Sequence, residues 1–316
     1  MKRKSTLCTG NSMAKCPGWT GVRSTGGRPV RIARCHWRSA RRRTLVSTKA
    51  VDRREAVNKT KALLEGPMIN SKFNAGLYKV PNFPLVNAGD DIAQLIYRCA
   101  TNDNFTFEDH DIIVVAQKIV SKAENALVRL SEIVPSEYAR ELTKKTGRDP
   151  RLCQVYINES KEILNTVGRH IITRHRLGFV GTEANVDRSN VAPLKEETVS
   201  LLPKDPDASA RRIRSRMKEL SQKEIAVIIC DTFGNEYRQG GIGTAIGIAG
   251  IRPLEVMDKV DLFGNPKQSV TTSVDEIAAA ASMLMGQANE GTPVVIVRGV
   301  KYTVSENASI REILIE

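Results

Sequence analysis

The stretch DIIVVAQKIVSKAE, residues 111–124, sets five apolar residues behind a polar turn and then changes character at Gln117. A continuous apolar run of that length, without polar alternation, reads as a strand buried on both faces. Upstream, residues 90–100 (DDIAQLIYRCA) start acidic and place Ile92, Leu95 and Ile96 at the spacing of an amphipathic helix. Downstream, residues 126–130 predict a shorter strand, and residues 136–146 and 149–165 predict two helices, the second opening on Asp149-Pro150. Residues 171–173 and 178–180 read as a hairpin. Residues 207–221 form a basic amphipathic pattern with Ala210, Ile213, Met217 and Leu220 on one face, followed by a strand at 225–230. Helix and strand recur at 274–285 and 294–297, with the body beginning near Leu77. This alternation gives an α/β fold class of the mixed α+β kind, with mixed sheets and flanking helices.

A Rossmann or P-loop fold is excluded by the glycines and lysines. The run GGIGTAIGIAG, residues 240–250, gives GxGxxxG in place of the dinucleotide fingerprint, and no Walker pattern surrounds Lys118 or Lys122. Glycines there instead serve close backbone approach, beside a ligand or inside the core.

Charge divides the chain of 316 residues. Residues 1–64 hold 17 Lys and Arg against Asp52 and Glu55, a local +15, whereas the remainder carries about −2. Residues 1–74 therefore read as a basic, disordered leader, as a segment with the composition of an organelle transit peptide, or as an extension upstream of a start at Met68. Residues 75–316 read as the working domain. With 41% hydrophobic residues the chain can bury a sizeable core, yet no run reaches the ~20 apolar residues of a membrane helix. Its six cysteines form no CxxC pair, and Cys153 and Cys230 sit in apolar segments, which fits a reducing cytosol.

Three elements carry chemistry. In IAVIICDTFGNEY, residues 225–237, a strand ends on Asp231-Thr232, where a carboxylate and a hydroxyl either ligate Mg²⁺ or Mn²⁺ or cap a turn. In NVDRSN, residues 185–190, Asp187 and Asn190 stand three apart and converge if the segment starts a helical turn; otherwise they make an ordinary loop or cap. In QKIVSKAE, residues 117–124, Lys118 and Lys122 either neutralise phosphate oxygens or are solvated surface lysines. His170 and His175 belong to no HExxH or triad pattern, so zinc and hydrolase chemistry are poor readings.

Taken in order, these segments resemble the coenzyme F420:L-glutamate ligase family. The resemblance is carried by FPLV at 83–86, VVAQKIVSKAE at 114–124, NES at 158–160, VDRSNV at 186–191, LLPKDPDASARRIR at 201–214, DTFG at 231–234, AIGIAG at 245–250, VDEIAAAASMLMG at 274–286 and PVVIVRG at 293–299. It implies a GTP-dependent, divalent-metal-dependent ligase that joins L-glutamate to the carboxylate of coenzyme F420-0 through an acyl phosphate. It implies, further, a cytoplasmic homodimer, two Mg²⁺ or Mn²⁺ sites and possible use of K⁺, with metal and phosphate positioning in place of a side-chain nucleophile. By position, Asp187 and Asp231 match ligands of one metal, Thr232 of another, with Gln287 a further candidate. Phe83, Pro84, Leu85, Val86, Gln117, Lys118, Lys122 and Asn190 match nucleotide-contacting positions.

The chain also departs from the family. Thr182-Glu183-Ala184-Asn185-Val186 stands where relatives show an Ala-Asn-Ala-Gly-like approach to the metal Asp, and Asn235 and Gly241 replace a frequent Arg and Gln. Lys118 stands where relatives carry a neutral hydroxyl. A ligase acting on another carboxylate acceptor is therefore the second reading, and nucleic-acid binding through the leader a third.

Overall fold

The computed structural model of the chain describes residues 21–23, 29–31, 75–235 and 238–315. Near the N-terminus β1 (Gly21–Arg23) pairs antiparallel with β2 (Pro29–Arg31). The rest of the leader, and with it the readings of that segment as disordered, as a targeting signal or as a nucleic-acid arm, lies outside the described residues.

From residue 76 the chain runs β3 (Gly76–Lys79), α1 (Ile92–Asn102), β4 (Ile112–Ala116), α2 (Gln117–Ala123), β5 (Leu127–Arg129), α3 (Glu137–Thr146) and α4 (Pro150–Glu159). It continues through β6 (Ser160–Val167), β7 (His170–His175), β8 (Val180–Thr182), β9 (Thr198–Ser200) and α5 (Pro206–Ser221). The last elements are β10 (Ala226–Asn235), β11 (Arg238–Ala249), β12 (Glu255–Val260), β13 (Pro266–Thr271), α6 (Ser273–Met285) and β14 (Val294–Arg298). Helix starts follow capping chemistry: the side chains of Asp91, Ser136, Asp149 and Asp205 each accept a backbone N–H in the first turn.

A five-stranded mixed sheet in the order β11-β10-β4-β14-β3 forms the main core. β10 runs parallel to β4, and the remaining pairs are antiparallel. Residues 112–115, 226–229 and 294–297 are buried throughout, as unbroken apolar runs demand of central strands covered on both faces. The far end of β4 is closed by Asp111, whose fully buried carboxylate receives Arg298 Nε and Nη2, each at 2.7 Å. On β11 two glycines admit helices to the backbone. A Cβ at Gly243 would lie 2.5 Å from Ser282 Cβ of α6, and one at Gly247 would lie 2.5 Å from the Pro206 carbonyl of α5. The glycine run thus serves close approach inside the core, one of the two roles its sequence suggested.

A smaller core gathers Leu130, Leu142, Cys153, Tyr156, Ile171 and Val199 beneath α3, α4, the β5–β9 pair and the β6-β7-β8 sheet. Here one expectation fails. The helix expected over 149–165 stops at Glu159, and residues 160–167 become β6, paired antiparallel with β7. At the break Ser160 Oγ donates to the Tyr156 carbonyl at 2.6 Å, and the nearly buried Glu159 carboxylate takes Arg176 Nη2 at 2.6 Å. Hairpin pairing with the strand that follows after two residues overrides the local helical pattern. The β12–β13 hairpin had no counterpart in the sequence expectations. Among the described residues no helix is long and apolar enough to cross a membrane.

Candidate active site

The parallel register sets the site. Cys230 on β10 pairs with Ala116 on β4, so the residues that follow, Asp231-Thr232 on one strand and Gln117-Lys118 on α2, emerge side by side at the same end of the sheet. Ligands of open α/β sheets commonly bind beyond the carboxyl ends of parallel strands. Lys118 and Lys122, four apart on α2, share one face of that helix.

The smaller core supplies the opposite wall. Asp187 is held in an antiparallel bridge to Ser200, with N–H···O distances of 3.0 and 2.9 Å. It does not start a helical turn, and Asn190 adopts a left-handed backbone at φ 55°. Asp187 Oδ2 lies 3.3 Å from Lys118 Nζ, which also reaches Ser189 Oγ at 3.4 Å. Asn190 Nδ2 donates to the Ala288 carbonyl at 2.6 Å, and Gln287 Nε2 donates to Thr232 Oγ1 at 3.1 Å. The loop after α6 thereby joins both walls.

All of these side chains line one cleft of about 470 Å³. Phe83, Pro84, Leu85 and Val86 form its apolar rim, with Val86 buried and Leu85 86% exposed. Gln117 also lines it but is buried, its Nε2 donating to Ser121 Oγ at 2.7 Å and the Leu201 carbonyl at 2.9 Å. Every residue singled out from sequence therefore borders one space, although Gln117 is turned largely to internal bonds.

The electrostatics suit a cation beside phosphate. Burial, followed by the Asp187 carboxylate, pushes Asp231 up to about 7, while the Thr232 backbone N–H, Asn185 and Lys118 pull it back. Two carboxylates that repel in a half-buried cleft are relieved by a divalent ion. Among the described residues no three His, Cys, Asp or Glu groups converge. Such a set suits Mg²⁺ or Mn²⁺, which take one or two carboxylates and complete their shell with hydroxyl, water and phosphate oxygens. Lys122 is lowered by burial and then by Lys118, so an anion between the two lysines would relieve that pair as well. Cys230 also borders the cleft, but burial drives its thiol up to about 12, which removes it as a nucleophile.

Sequence reasoning did not select Asn185, whose Nδ2 donates to Asp231 Oδ2 at 2.9 Å. Residues 183–185 are all left-handed, at φ 53°, 51° and 54°, a conformation costing roughly 1–2 kcal/mol per non-glycine residue. The available signal was the Asn itself, the side chain that best tolerates this backbone, two residues before a candidate metal carboxylate.

The family model described as F420-0:Gamma-glutamyl ligase matches residues 81–299. The coenzyme F420:L-glutamate ligase of Methanothermobacter thermautotrophicus is 43% identical over 228 residues, covering 72% of this chain and 89% of that protein. The enzyme of the same name from Methanopyrus kandleri is 42% identical over 224 residues, with 70% and 86% covered. That from Archaeoglobus fulgidus is 38% identical over 239 residues, with 75% and 92% covered.

Proposed function

We propose, from the premise that this chain belongs to the F420-0:gamma-glutamyl ligase family, that it is a GTP- and divalent-metal-dependent ligase adding L-glutamate to the carboxylate of coenzyme F420-0. The observation that carries the reading is the meeting, in one cleft, of two carboxylates from separate walls with two lysines and an apolar rim.

A carboxylate is a poor electrophile, so the γ-phosphoryl group of GTP passes to an acceptor oxygen and GDP departs. The glutamate amine then attacks the acyl carbon, phosphate leaves with the C–O bond electrons, and the amine proton passes to phosphate or solvent. Asp187 and Asp231 would hold one Mg²⁺ or Mn²⁺, and Thr232 with Gln287 a second. Bound metal supplies charge neutralisation on the phosphate oxygens. Lys118 and Lys122 offset the charge of the transferring group, Asn190 fixes its loop against residue 288, and Phe83, Pro84, Leu85 and Val86 exclude water from the nucleotide. Positioning does the work, which accounts for a site without a nucleophile. K⁺ as a further ion, a homodimer and a cytoplasmic location belong to the same proposal.

A second reading keeps nucleotide and metal but changes the acceptor. It is motivated by the altered approach at residues 182–186, which sets Asn185 against the Asp231 carboxylate. Purified chain incubated with GTP, Mg²⁺ or Mn²⁺, L-glutamate and F420-0 should release GDP and form a product heavier by one glutamyl unit. GTP turnover without that product would favour the second reading, and no turnover with any acceptor would defeat both.

A further inference from the structure

The turn at residues 183–185 joins three consecutive left-handed backbones, none of them glycine. Such backbones persist where their surroundings over-determine them, and they concentrate at working sites. Two anchors hold this one. Glu183 Oε1 receives Arg148 Nη2 at 2.7 Å and lies 3.1 Å from His170 Nδ1, and the Ala184 N–H donates to Thr173 Oγ1 at 3.0 Å.

What the turn delivers is the Asn185 carboxamide, 9% exposed, with Nδ2 on Asp231 Oδ2 at 2.9 Å. Its Oδ1 is buried without a hydrogen-bond partner. Flipping the amide would set that oxygen against the carboxylate, so the Asp231 contact fixes the orientation and leaves Oδ1 unmatched. A buried amide that only stabilised the fold would be expected to satisfy both ends.

The geometry points to Asn185 as a positioning residue: its amide, carried across from the smaller core by a tethered turn, holds the Asp231 carboxylate in one orientation for the cation. The inference rests on the metal reading of Asp231. Asn185 is neither a metal ligand nor a nucleotide contact in that reading. Between the Asn185 amide and the Thr232 N–H, the carboxylate has little freedom to turn. Partners of this kind are worth about 10–100-fold in metal affinity.

The test is Mn²⁺ binding to the full chain without GTP, followed by water-proton relaxation, beside thermal unfolding. Asn185→Gly suits a φ of 54° and deletes the side chain, amide included, without straining the turn. It should raise the Mn²⁺ dissociation constant about tenfold or more, leave the unfolding temperature within a few degrees, and leave metal-free GTP binding unchanged. Glu183→Gln, which weakens the Arg148 anchor but keeps the turn's atoms, should shift the constant the same way by a smaller factor. Unchanged Mn²⁺ affinity in folded Asn185→Gly overturns the proposal. Loss of cooperative unfolding in that variant overturns it too, because the amide would then be holding the fold. A wild-type chain that binds no Mn²⁺ would sink the metal reading instead.

Discussion

Asp231 and Asp187 act on one another's charge from unlike supports. Asp231 continues a central strand whose preceding residues 226–229 have no exposed surface, and it lies in the ladder between β10 and β11. Asp187 hangs on a single bridge to Ser200, between left-handed residues at 183–185 and 190. The large sheet fixes one half of the site by bulk burial, and the smaller core fixes the other half by a few polar ties. A mutation in either should therefore reach the chemistry by a different route.

The largest expected effects come from emptying each core. Ile228→Ala and Leu142→Ala each delete a fully buried side chain, at about 2–5 kcal/mol of stability. Ile228→Ala should lower the whole urea transition. Leu142→Ala should separate an early transition, lost together with Mn²⁺ binding, from a later one belonging to the main sheet. A single coincident transition in Leu142→Ala would erase the distinction.

Next in size is the carboxylate itself. Asp231→Ala should lower kcat/KM about 10³-fold, by analogy with removal of other preorganised charge contacts. Asp231→Asn should lose activity comparably and yet raise the unfolding temperature of the metal-free chain at pH 8, since it removes a desolvated charge facing Asp187. A fall in stability instead would mean that the charge is satisfied where it stands.

A smaller, graded effect follows pH. Asp231 is raised to about 7 in the fold against 3.8 ordinarily, so the folded state holds its proton more tightly than the unfolded chain. Its contribution to metal-free stability is full below about pH 4, declines as pH rises toward 7, and is level above that. A cation competes with the same proton, so Mn²⁺ affinity should weaken about tenfold per pH unit below 7. Thermal scans in chelator and Mn²⁺ titrations at pH 5 and 6 check both slopes, and Asp231→Asn should flatten them.

The sequence made the central sheet legible because residues 112–116, 226–230 and 294–297 are uninterrupted apolar runs, and because acidic or hydroxyl caps mark several helix starts. It hid the end of α4, where a polar stretch was recruited by β7. It hid the β12–β13 hairpin as well, whose strands EVMDKV and PKQSVT bury no face and so lack a clean alternation. The candidate site became readable only through the order of many motifs, because Asp187, Asp231 and Gln287 are each ordinary locally. Asn185 offered only the signal of its residue type two positions before Asp187, since the hydrogen bond that gives it a role spans 46 residues.

β10 does not end where the cleft begins. It continues through Asp231, paired with Thr244, and Thr232, paired with Gly243, toward Asn235. On the strand side the amides bonded to β11 should therefore exchange as slowly as the sheet centre, while those at 188–190, beyond the last bridge, should trade their protons quickly. The cleft becomes a border between two clocks. Substrate entry and product departure would be timed by the loop side alone, with the strand side as the stationary anvil.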